Sequence, residues 1–208
     1  MKRRHFLSAF ALAAGIFAFS GLVAPETFTA QAQTAKQERA LENTLYLDLK
    51  DGRVTIKLRP DLAPNHVARI KELVREGFYD GIVFHRVIDG FMAQTGDPTG
   101  TGRGGSGKNL DAEFSLENHK RGTLSMARAQ SPDSADSQFF IVFDDASFLD
   151  NQYTVWGEVT DGMEHVDKIK RGAEGSGAVD DPDKIINETV RYRNTCHEQI
   201  IIRKLRIR

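Results

Sequence analysis

The chain has 208 residues, a formal net charge of −1, 27% charged and 40% apolar residues. That balance suits one globular domain of roughly 160–180 residues after processing, and the near-neutral charge excludes a strongly basic nucleic-acid binder. A single cysteine, Cys196, excludes an internal disulfide, so stability must come from core packing.

At the N-terminus, Lys2-Arg3-Arg4 forms a basic head, Phe6 to Ala24 carries no charge, and Ala30-Gln31-Ala32 supplies small residues for a signal peptidase. Residues 1–32 are therefore expected to be a signal peptide cut before Gln33, sending the mature chain to the periplasm or outside the cell. Its removal leaves a net charge of about −3. Arg3-Arg4-His5-Phe6-Leu7 resembles a twin-arginine export signal, although Lys2 stands where that pattern has Ser or Thr and Ser8 replaces a common Lys. That route and the general secretory route both stay open. The competing reading is an uncleaved anchor, since the uncharged run is just long enough to span a bilayer; its many Ala, Gly and Ser residues make it a weak one. Residues 33–43 read as a polar linker.

The segments Leu45-Tyr46-Leu47-Asp48-Leu49 and Val54-Thr55-Ile56-Lys57-Leu58 both alternate, with Asp51-Gly52 between them as a two-residue hairpin signal. Pairing Lys50 with Arg53 sets Leu49 opposite Val54, Leu47 opposite Ile56 and Leu45 opposite Leu58, all on one face. Pro64, then Val67, Ile70, Leu73 and Val74 at helical spacing, with Gly77 as a stop, predict an amphipathic helix. Ile82 to Ile88 reads as a strand holding Arg86, and residues 96–109 as a glycine-rich loop. Leu124 to Arg128, Phe139 to Phe143, Tyr153 to Val159 and Lys184 to Val190 read as further strands. Asp161 is expected to cap a second helix containing Met163, Val166 and Ile169, with Glu164 completing a capping box. Short strands with two interspersed helices favour a closed antiparallel barrel with helical plugs.

Phe84-His85-Arg86-Val87-Ile88-Asp89-Gly90-Phe91-Met92-Ala93-Gln94 is the most telling stretch. It brings a cation, an amide and two large apolar side chains together with no nucleophile, metal cluster or general base. That combination suits chemistry that rotates a bond rather than breaking it. With Thr95-Gly96-Asp97 and Ser137-Gln138-Phe139-Phe140-Ile141, it closely resembles the signature of cyclophilin-type peptidyl-prolyl cis–trans isomerases, over about Leu45 to Val190. The resemblance implies a mainly β fold, a closed eight-stranded antiparallel barrel capped by two α-helices, in a domain spanning 44–192. It implies Arg86 as the catalytic residue, and Phe91, Met92 and Phe140 as the floor of a proline pocket with Leu149 at its edge. Gln94 would contact the substrate backbone, and Gln138 would lie beside the preceding-residue pocket. Ala127 and Arg128 fall on a strand whose backbone pairs with the peptide. Phe148 stands where many eukaryotic members carry tryptophan, Tyr153 where they carry histidine, and Arg128 where asparagine is common. The implied function is proline isomerisation during folding of exported proteins by a bacterial member. The alternative is a chaperone or scaffold that holds proline loops, with isomerisation incidental.

No cofactor and no metal are expected. The histidines are scattered and Cys196-His197 is a lone pair. Gly100-Thr101-Gly102-Arg103-Gly104-Gly105 fits a dinucleotide fingerprint in form only, because no helical pattern follows it. Asp180-Asp181-Pro182-Asp183 lacks the spacing of a calcium loop, and Ser125, Ser131, Ser134 and Ser137 show no nucleophile elbow. By strand alternation His85 points away from Arg86 and reads as a satisfied core histidine. Asp89 and Asp97 are the acids that would pair Arg86 if it were merely structural. Expected partners are proline-containing polypeptides, not nucleic acid, and the protein is expected to be a monomer. The tail 193–208 has five basic residues against Glu198 around Ile200-Ile201-Ile202. An added edge strand with charged gatekeepers is preferred there over a patch touching anionic membrane.

Overall fold

The computed structural model describes Gln33 and residues 42–190. The expected signal peptide, most of the linker, and the tail with Cys196 lie outside the described residues. Eight strands form one curled antiparallel sheet: β1 Thr44–Leu49, β2 Gly52–Leu58, β3 Arg86–Ile88, β4 Met92–Thr95, β5 Thr123–Met126, β6 Phe139–Val142, β7 Val155–Asp161 and β8 Asn187–Val190. Their order is β3-β4-β6-β5-β7-β2-β1-β8. Two α-helices accompany them, α1 Pro64–Glu76 and α2 Met163–Val166.

The β1–β2 hairpin shows both what patterning fixes and what it leaves open. Leu45, Leu47, Leu49, Val54, Ile56 and Leu58 all face the core, as their alternation requires. The register differs, however: Leu49 pairs with Gly52, Leu47 with Val54 and Leu45 with Ile56, so Lys50 and Asp51 form the turn. Each strand has moved by one residue, and a combined slip of two keeps every side chain on its face. The observed register places Gly52 at a position that only glycine fits. Gly52 has a φ of +148°, and a Cβ there would lie 2.4 Å from the His165 ring.

Helix α1 has Pro64 in its first turn and no side-chain cap of its own. Glu113 supplies the cap from outside: its carboxylate accepts from the Asn65 and His66 N–H groups (3.1 and 3.0 Å) and from His66 Nδ1 (2.7 Å). Gly77 ends the helix in the left-handed conformation, as expected. Val67, Ile70, Leu73 and Val74 are buried in the main core with Tyr79, Phe84, Phe139 and Trp156. The proposed capping box of α2 is absent. Asp161 is the last residue of β7, Gly162 takes the cap position, and no side-chain cap bond forms.

The expected closed barrel is corrected to an open one, because the edge strands β3 and β8 do not pair with each other. Both are shorter than predicted, and the seam between them is filled by irregular chain. Val83 bridges Lys184, Arg86 bridges Ala178, Phe84 N–H donates to Asp183 O, and Val87 N–H donates to Gly177 O. The turns in this segment, at Gly175, Gly177 and Asp181, all have positive φ and prevent a continuous ladder.

On β8, Glu188 is buried with both carboxyl oxygens unpartnered. Burial, reinforced by Asp80, pushes its pKa up to about 8 from an ordinary 4.5. The folded protein thus holds a proton that the unfolded chain releases between those values, so stability falls as pH rises through that window. Between pH 5 and 8 the wild type should lose about 4 kcal/mol from this group, measured by urea denaturation, and Glu188→Gln should remove most of that slope. Parallel pH profiles for the two proteins would refute the assignment.

Candidate active site

Strand register brings the key side chains into one row. Arg86 on β3 pairs with Gln94 on β4, Gln94 with Phe140 on β6, and Phe140 with Ser125 on β5. Directly cross-strand neighbours share a face, so these four residues line up on the outer surface, opposite the main core. A second row joins Ile88, Met92 and Val142. Alternation sends Phe139 into the main core and Phe140 outward, as predicted.

Outside the sheet, Met92, Phe140, Val142, Ala146 and Leu149 form a separate apolar cluster, edged by Ile88, Phe91, Ala127 and Tyr153. Phe91 and Phe148 lie 5.3 Å apart at its rim, where Phe148 is 63% exposed. Tyr153 meets Phe140 edge-on at 5.9 Å, and the Arg128 guanidinium lies 4.6 Å over the Tyr153 ring. Strands β5 and β6 are consequently buried on both faces, which explains why Phe139–Val142 is apolar throughout, while the alternating polar residues of β5, Thr123 and Ser125, are buried as well.

A polar relay borders the cup. Arg86 Nη1 donates to Gln94 Oε1 (3.2 Å), Gln94 Nε2 to Gln138 Oε1 (2.9 Å), and Gln138 Nε2 to Gly104 O (2.8 Å). A donor-only guanidinium at one end and an acceptor-only carbonyl at the other leave one consistent orientation for both amides. Arg86 Nε donates to Ser176 O (3.3 Å). Neither Asp89 nor Asp97 pairs with Arg86: Asp89 holds Arg171 at 2.8 Å. Asp97 is buried within the glycine loop, accepting from the Thr99 N–H (2.7 Å) and hydroxyl (2.8 Å). Burial would raise the Asp97 carboxyl, but these bonds, with the Gly102 and Gly104 N–H groups, outweigh it and hold its pKa at about 2.

Every residue expected at the site is thus at this cup or on its rim. The strand expected over Leu124 to Arg128 ends at Met126, beyond which the Ala127 N–H donates to Gln138 O (2.9 Å). His85 is corrected too. Both its ring nitrogens are buried without a partner, and desolvation lowers its pKa.

Sequence reasoning missed the support behind Phe140. His119 stacks on that ring at 6.4 Å and 20°. Its Nδ1 meets Asp150 Oδ1 (2.9 Å) and its Nε2 meets Ser125 Oγ (3.0 Å), while Ser125 Oγ donates to Thr154 O (2.9 Å). The order Ser–His–Asp imitates a nucleophile triad, but Ser125 has no exposed surface. The array props the pocket floor instead. The missed signal was the short step from His119 to Ser125, which spans one turn into a strand. Among the described residues there is no cluster able to hold a metal, and no helix long and apolar enough to cross a membrane.

On the outside of a curled eight-stranded sheet, an apolar cluster thus lies beside a guanidinium and two amides. Residues 44–190 match the family described as cyclophilin type peptidyl-prolyl cis-trans isomerase, and the chain belongs to that family. It is 59% identical over 162 residues to a probable peptidyl-prolyl cis-trans isomerase of Brucella suis, covering 72% of this chain and 83% of the relative. It is 44% identical over 132 residues to peptidyl-prolyl cis-trans isomerase B of Bacillus subtilis, covering 62% and 92%. Among solved structures, a Cryptosporidium parvum cyclophilin crystallised in the presence of the dipeptide Ala-Pro superposes with a TM-score of 0.66 at 30% identity, covering 73% of this chain and 99% of that one. The protein is a peptidyl-prolyl cis–trans isomerase.

Removing the imidazole with His119→Ala takes one partner each from Ser125 Oγ and Asp150 and the stacked ring from Phe140. It should cost roughly 2–4 kcal/mol in urea denaturation and weaken the pocket; unchanged stability would show that the array carries no load.

Proposed function

We propose that Arg86 is the catalytic residue and that the cup of Phe91, Met92, Phe140, Phe148, Leu149 and Tyr153 holds the proline ring of exported polypeptides during their folding. Rotation of a peptide bond meets a barrier of ~18–20 kcal/mol because the nitrogen lone pair is delocalised into the carbonyl. Cis and trans Xaa–Pro forms differ by only ~0.5–1 kcal/mol, so an isomerase must favour the twisted state over both planar ones. In that state the prolyl nitrogen pyramidalises and becomes a hydrogen-bond acceptor. Arg86 supplies a donor there without proton transfer, since guanidinium stays charged at any working pH.

The observation that carries this reading is the way Arg86 is held. It is fixed by Gln94 and by a backbone carbonyl rather than by a carboxylate, and its Nη2 has no partner among the described residues. Its charge is therefore oriented but not neutralised. The apolar floor excludes water that would compete for the donor. Gln94 and Gln138 grip the substrate backbone, and the segment at Ala127 and Arg128 lies alongside it. A ten-thousandfold acceleration needs only ~5.5 kcal/mol of differential stabilisation, within reach of a few charge-assisted bonds plus positioning.

Export rests on the leader sequence: Lys2-Arg3-Arg4, the uncharged run and Ala30-Gln31-Ala32 favour a periplasmic or secreted chain that begins at Gln33. The mature protein is proposed to act as a monomer, without cofactor.

In a proline-peptide assay, Arg86→Ala should lower kcat/KM by about a hundredfold or more while circular dichroism and melting stay near wild type. Equal turnover would remove Arg86 from the mechanism. Mass spectrometry of the protein recovered from the cell envelope fraction should find Gln33 at the N-terminus; an intact Met1 there would replace export and cleavage with a tethered form.

A further inference from the structure

We infer that Arg128 makes this site selective for peptides that carry a carboxylate next to the proline. The inference rests on the reading of the cup as the proline site. Five arginines elsewhere, Arg53, Arg59, Arg69, Arg121 and Arg171, each close on a carboxylate at 2.6–2.8 Å. The two arginines at the cup do not. Arg128 spends its bonds on neutral carbonyls: Nε and Nη2 on Gln152 O (3.2 and 3.1 Å), and Nη1 on Ala129 O and Gln130 O (3.0 and 3.2 Å). Its remaining contact is the Tyr153 ring face. Among the described residues, no Asp or Glu oxygen lies within 4.0 Å of either Arg86 or Arg128.

The acids nearest in sequence are turned to other work. Asp133 accepts from the Ala112 N–H, Asp136 from Ser106 and from the Gly107 N–H, and Asp150 from Asn118 and His119. Arg86 belongs to β3 and Arg128 follows β5, with β4 and β6 between them in the sheet. The apolar floor therefore lies between two cations that no carboxylate pairs directly, an arrangement that favours a negative group on the ligand. Four hydrogen bonds and the stacked tyrosine hold the Arg128 guanidinium in place before any ligand arrives, so an incoming carboxylate loses little to side-chain ordering.

The same contacts make Arg128 a positioning residue, since it ties the 128–130 segment to Gln152 and braces Tyr153 against Phe140. Charge and bracing separate by substitution. Arg128→Lys keeps the charge and loses the planar fork; Arg128→Gln loses both.

The test is NMR exchange on N-acetylated, C-amidated proline peptides with Glu, Gln or Lys immediately before or immediately after the proline, using the mature chain. At low salt, kcat/KM should fall in the order Glu, Gln, Lys at one of the two positions, with about a tenfold spread. High salt should compress that spread, Arg128→Gln should largely abolish it, and Arg128→Lys should retain it. Equal rates for the three peptides at both positions in the wild type, or a spread unaffected by Arg128→Gln, would overturn the inference. Failure to turn over even the Gln peptides would instead overturn the proline-site reading beneath it.

Discussion

The site depends on one constraint, the register that stacks Arg86, Gln94, Phe140 and Ser125 across four antiparallel strands. Side chains alternate along a strand, so a one-residue slip in any of these pairings would send its contribution to the opposite face. Arg86 would enter the main core and Val87 would take its place outside. Packing opposes that slip from both directions. Val87, Ala93, Ile141 and Leu124 fill the interior, while Met92, Phe140 and Val142 fill the outer cluster. The two apolar clusters together hold a charged side chain at the edge of a hydrophobic surface without burying it.

Around that row, polar contacts do the aiming. The relay from Arg86 through Gln94 and Gln138 to Gly104 O connects the strands to the glycine loop. The loop is fixed in turn by carboxylates: Asp97 holds Thr99, and Asp136 holds Ser106 and the Gly107 N–H. A segment that looks flexible by composition is thereby made one wall of the site. On the far side, His119 and Asp150 support Phe140 from behind. The cup combines fixed walls with an exposed rim at Phe148.

Local patterning made much of this legible. Alternation identified both faces of the first hairpin and separated Phe139 from Phe140, and helical spacing with Gly77 delimited α1. What patterning could not supply were features set by distant residues. The hairpin turn is at Lys50-Asp51 rather than Asp51-Gly52, and the His165 ring lies over Gly52, a contact that no local window contains. The cap of α1 came from Glu113 rather than from its own first turn. The isolated histidine at 119 carried no sign that it would meet Asp150, because that contact exists only once β5 and the 147–150 turn are packed. Arg86 and its neighbours were readable because the chemistry sits in one contiguous segment. The supporting residues were not, because they are scattered along the chain.

The seam between β3 and β8 has a consequence for heat tolerance. The irregular chain that bridges the two edge strands also provides Ser176 O, one of the two anchors of Arg86. Gly177 lies so close to β3 that an added Cβ would come within 2.5 Å of Ile88. A stretch held by isolated bridges opens more readily than a full ladder, and when it opens the arginine loses its aim while the core remains intact. On warming, local fraying at this one sheet margin is therefore expected to loosen the arginine's aim before the fold itself gives way.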